Sequence, residues 1–149
     1  MALIPATLIA GFTRLGTPAT MPAEGQLAIE YTNIIDSYAS LVTPPTTTSA
    51  VARTALLGIL QGVSADAGNL EPLLVQGLTA YAAALVPGMA PAFTATPPPV
   101  PIVLSSVAPA GQAGATASAQ ASLISGLIDA WFRTGIAVNN TSGASIPWA

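Results

Sequence analysis

Between Glu71 and Asp129 the chain carries no charged side chain. So long an uncharged stretch has three destinations: a protein core, a membrane, or the faces of neighbouring molecules. The rest of the chain does little to offset it. Across 149 residues there are 3 basic and 6 acidic side chains, a net charge of −3. Charged residues make up 6% of the sequence, against about 25% in an ordinary soluble domain. The basic residues are Arg14, Arg53 and Arg133; lysine, histidine and cysteine are absent. At this length the expectation is a single domain spanning residues 1–149.

Those absences remove most chemistry. Without cysteine there is no disulfide and no thiolate nucleophile, and without histidine as well there is no zinc site of the usual kind. The usual neutral-pH base and Schiff-base lysines are missing too. No phosphate-binding GxxxxGK[ST] loop is present, and Ser125-Gly126-Leu127 is not a GxSxG nucleophile elbow. Glu24, Glu30 and Asp36 are six apart and share no helical face. Asp66 and Glu71 flank one loop with no third ligand, so solvation is the reading there. No catalytic, cofactor-binding or metal-ligating residue is assigned, and the expectation is that the chain is not an enzyme. Three scattered arginines make no phosphate-neutralising footprint, so nucleic acid is not an expected partner.

The membrane reading is the alternative. The most apolar run, Leu73 to Val86, spans about 21 Å as a helix, short of the roughly 30 Å hydrocarbon core. Gln76 lies inside it, and Pro87 and Pro91 follow. A buried core helix accounts for it better. Residues 1–12 resemble a signal-peptide core, but no positive charge precedes them and Pro5 interrupts them, so a secretory signal is not the reading.

Four segments carry helical periodicity. Leu27, Tyr31, Ile34, Tyr38 and Leu41 form one stripe in residues 22–41, with Thr20 as the expected cap, Pro22 in the first turn and Glu24 at the positive end of the dipole. Ala52, Leu56, Ile59 and Val63 form a second in 49–63, capped by Thr48 or Ser49. Asn69 is the expected cap of a third helix carrying Leu74, Leu78, Tyr81 and Leu85. Ala121, Ile124, Ile128 and Trp131 mark a fourth in 116–134, with Gly135 as its stop and an Asp129–Arg133 ion pair on its surface. Gly58 and Gly62 form a GxxxG that predicts close helix packing. The predicted fold is mainly α, a small bundle of about four helices.

Residues 87–114 contain Pro97-Pro98-Pro99-Val100-Pro101 and predict a long extended arm with polyproline geometry. Ile102, Val103, Leu104 and Val107 predict that this arm lies on another surface. Residues 136–149 predict a hairpin or extended C-terminal arm turning at Asn139 to Gly143, with Trp148 as its anchor. The two glycosylation sequons at Asn139 and Asn140 are read as turn chemistry. The interface candidates are Trp131, Phe132, Ile146, Pro147 and Trp148, together with Ile102, Val103 and Leu104.

The ending Trp131-Phe-Arg-Thr-Gly-Ile-Ala-Val-Asn-Asn-Thr-Ser-Gly-Ala-Ser-Ile-Pro-Trp148 resembles the C-termini of small structural proteins of tailed bacteriophages, and the low-charge, Ala/Thr/Pro-rich style is similar to theirs. The resemblance implies a virion subunit of head, neck or tail, assembled in the host cytoplasm. Its implied partners are copies of itself and other virion structural proteins. With the composition, it predicts a non-enzymatic subunit held by apolar contacts and extended arms.

Overall fold

The computed structural model describes residues 3–20, 22–23, 25–64, 68–104 and 116–149. Helix accounts for 58% of the described residues, so the fold is mainly α. Five α-helices and one three-stranded sheet are present among the described residues.

Helix α1, Pro5–Gly16, was not among the expected elements. Pro5 was expected to interrupt the segment; it sits instead in the first turn, where its missing N–H costs no helical bond. Leu8, Phe12 and Leu15 then recur on one buried stripe. Helix α2, Leu27–Ala39, starts later than expected. Residues 18–20 form a 3-10 turn, and the Thr20 hydroxyl donates to Arg14 O at 2.8 Å, so Thr20 and Pro22 do not open α2. Glu24 lies outside the described residues.

Helices α3, Ser49–Leu60, and α4, Leu70–Leu85, pack on each other. Their approach is set by Gly77, where a Cβ would come within 2.6 Å of Leu56 Cδ1. Gly58 of the GxxxG pair faces open space, so the close packing expected there is not made by it. Thr48 and Asn69 occupy the N-cap positions, but their side chains bond elsewhere. Thr48 donates to Ala84 O at 2.6 Å and Thr46 to Leu85 O at 2.7 Å, which satisfies carbonyls left open at the end of α4. Asn69 accepts from Ser64 N and donates to Gly62 O. Asp66 lies outside the described residues. Helix α5, Ala117–Phe132, is capped by Thr116, which accepts from Ala119 N at 3.1 Å, and packs along α1.

The expected arm over 87–114 does not reach away from the chain as far as it is described. Residues 86–89 form a 3-10 turn, and strand β1, Phe93–Thr96, follows. Beyond it Pro98, Ile102 and Leu104 are buried, while Pro99, Val100, Pro101 and Val103 are exposed. The chain bends at Pro99 and Val100 rather than running as a straight polyproline helix. Trp131 Nε1 donates to Val100 O there, at 2.7 Å. Residues 105–114, Val107 among them, lie outside the described residues.

The C-terminal hairpin forms as β2, Ile136–Asn139, and β3, Ser145–Pro147. With β1 they make an antiparallel sheet in the order β1-β2-β3. Asn139 Oδ1 accepts from Thr141 N and Ser142 N, and Gly143 takes a φ of 72°, so the Asn and Gly residues serve the turn. At the centre of the core, Phe132 meets four rings: Trp131 at 5.0 Å, Tyr38 at 5.8 Å, and Tyr81 and Trp148 at 6.4 Å.

Candidate functional site

Each arginine is spent on a carboxylate of the same chain. Arg14 on α1 bonds Glu30 on α2. Arg53 on α3 faces Asp36 on α2 at 3.9 Å and donates to Asn33 Oδ1 at 2.7 Å. Arg133 Nε donates to Asp129 Oδ2 at 2.8 Å, the pair expected from their spacing, and its Nη2 reaches Leu3 O at 3.3 Å. Partly exposed pairs of this kind contribute about 0–1 kcal/mol each. Their larger effect is on the surface, where each arginine already has a carboxylate beside it.

Two of these carboxylates also accept from buried tyrosines. Tyr38 Oη donates to Asp129 Oδ1 at 2.6 Å, and Tyr81 Oη donates to Asp36 Oδ1 at 2.7 Å. Burial first, and the accepting carboxylate second, push both hydroxyls well above the ordinary tyrosine value of 10.0. Such hydroxyls stay protonated near neutral pH. These are structural relays joining α2 to α5 and α4. Among the described residues no group of three or more His, Cys, Asp or Glu is placed to hold a metal. A shallow depression on the outer side of α3 is lined by Ala50, Val51, Thr54 and Ala55 and holds no titratable group.

The eight interface candidates divide sharply. Phe132 and Trp148 are fully buried, and Trp131, Ile102 and Leu104 are nearly so. These five form the core of their own chain rather than a contact surface, because Trp148 folds back over Phe132 and the 102–104 segment covers the bundle. Ile146 is half-buried; Pro147 and Val103 are exposed.

The register places Thr94 and Thr96 of β1, Ile136 and Val138 of β2, and Ser145 and Pro147 of β3 together on the outer face of the sheet. All six are exposed and none is charged. Ala95, Ala137 and Ile146 face inward. Sequence reasoning missed Ile136 and Val138, since in a strand the larger apolar residues are expected inside. Here Ala137 takes the inner position. Val51, 61% exposed, was also missed; its signal is a valine off the Ala52–Leu56 stripe of α3. Compared with known protein families, curated proteins and solved structures, the chain matches none of them.

Proposed function

We propose that the chain is a non-enzymatic structural subunit of a large symmetric assembly, and that the assembly is a bacteriophage particle. The observation that carries the first part is how little charge the fold offers a partner: every arginine is paired within the chain, and the outer sheet face is exposed and uncharged. Uncharged faces shed water at low cost and meet copies of themselves without like-charge repulsion. The second part rests on the C-terminal resemblance alone. Negative-stain electron microscopy of the concentrated protein tests the reading: regular rings, tubes or shells support it, and a field of single small particles opposes it.

A second reading is favoured by one observation. Residues 70–89 are long and apolar enough to cross a membrane. In the fold, however, Leu74, Leu78, Tyr81, Ala82 and Leu85 of this segment are buried in the core, so insertion would require opening the bundle. Co-flotation of the folded protein with liposomes would favour this reading over the first.

A further inference from the structure

A subunit of this kind needs contacts larger than its sheet face supplies. Strands of 4, 4 and 3 residues, three abreast, cover on the order of 200 Å². A standard stable interface takes about 800 Å² from each partner. The other exposed large apolar side chains are Ile4, Ile29, Val51, Val100, Val103 and Leu123, and apart from Val100 and Val103, which share the segment after β1, each lies on a different part of the fold. An assembly built from this chain therefore calls for an element that reaches into its neighbour.

Residues 145–149 have the form of such an element. Trp148 is fully buried. Its ring lies over Gly135, where a Cβ would come within 2.5 Å of Cδ2. The backbone N–H of Trp148 donates to Gly135 O at 2.9 Å. Ala149 and Thr43 exchange two backbone bonds, Thr43 N to Ala149 O at 2.7 Å and Ala149 N to Thr43 O at 3.1 Å. Thr43, Phe132 and Gly135 make this seat, and all of them precede the exposed 140–144 turn that tethers the plug. The indole Nε1 has no partner among the described residues, so packing and backbone bonds hold the plug, and no side-chain bond from the ring has to break on release.

We infer that in the assembled protein residues 145–149 of one copy occupy the Thr43–Phe132–Gly135 seat of a second copy. This rests on the subunit reading. Exchange of an identical element re-forms the same contacts between chains that the closed chain makes within itself, so it links copies at little cost.

The chain has no cysteine, so a Thr43→Cys/Ala149→Cys variant carries a single designed disulfide. Reciprocally bonded antiparallel residues lie about 5.5 Å apart at Cα, within the span of a disulfide. The variant is oxidised in dilute solution and, separately, as the high-molecular-weight fraction from size-exclusion chromatography, then run on non-reducing gels. Exchange predicts covalent dimers and longer ladders from the large fraction and intrachain closure in dilute solution. A large fraction holding only intrachain disulfides overturns the exchange and leaves the subunit reading intact. No large fraction at any concentration overturns both. Should the double variant fail to fold, Ala149→p-benzoylphenylalanine in an equal mixture of 14N- and 15N-labelled chains gives the same answer. Mixed-mass cross-links to the Thr43 region support exchange, and equal-mass links alone overturn it.

Discussion

Gly135 lies directly against the indole of Trp148, closer than any side chain would permit. Its backbone φ is not among the positive glycine values, which among the described residues belong to Gly25 and Gly143. The glycine is therefore required for space and not for a left-handed turn. Gly135→Ala should push the ring out of its seat and destabilise the fold by about 1–3 kcal/mol. Trp148→Ala should cost about 3–5 kcal/mol. Chemical denaturation of both variants checks this, and unchanged midpoints would contradict the seat.

All three tyrosines, Tyr31, Tyr38 and Tyr81, are held above their ordinary value, Tyr31 by burial alone. A hydroxyl whose folded pKa exceeds its unfolded one contributes stability that is fully present below about pH 10 and lost as pH rises beyond it. The phenolate absorbance should therefore stay silent near pH 10 and appear together with loss of helix at higher pH. Tyr38→Phe and Tyr81→Phe should each make stability fall less steeply as pH rises above about 10, while lowering neutral-pH stability by about 1.5–3 kcal/mol through the lost bond to a carboxylate. Tyrosines titrating near pH 10 with the helix signal intact would contradict the relays.

Gly58 on α3 and Gly126 on α5 have open space where a Cβ would go. Neither takes a positive φ. Gly58→Ala and Gly126→Ala should each stabilise the isolated chain by about 0.5–1 kcal/mol, since alanine loses less backbone entropy in a helix. Thermal melts at low concentration check both.

The helices α2 to α5 were legible because their apolar stripes recur within a few turns: Leu74, Leu78, Tyr81 and Leu85 are all buried as their spacing predicts. The Asp129–Arg133 pair was legible for the same reason. Helix α1 was hidden by Pro5, which breaks a helix interior and starts a helix equally well. Strand β1 was hidden because Phe93 to Thr96 lie between prolines and find their partner, Ile136 to Asn139, only after α5. The tyrosine relays join residues 91 and 45 positions apart, and no local pattern marks them. Of the interface candidates, Trp131, Phe132 and Trp148 were singled out as large apolar residues near the chain's end. Size alone does not tell a core anchor from a contact, and the fold makes them the core.

Self-association is the central claim, and sedimentation velocity over a wide concentration range, at low and high salt, tests it most directly. The account predicts species much larger than the 14.8 kDa chain, growing with concentration. Added salt should leave them unchanged or larger, because the three arginines are already paired within each chain and the proposed contacts are uncharged. A single 14.8 kDa monomer at every concentration and salt would contradict it.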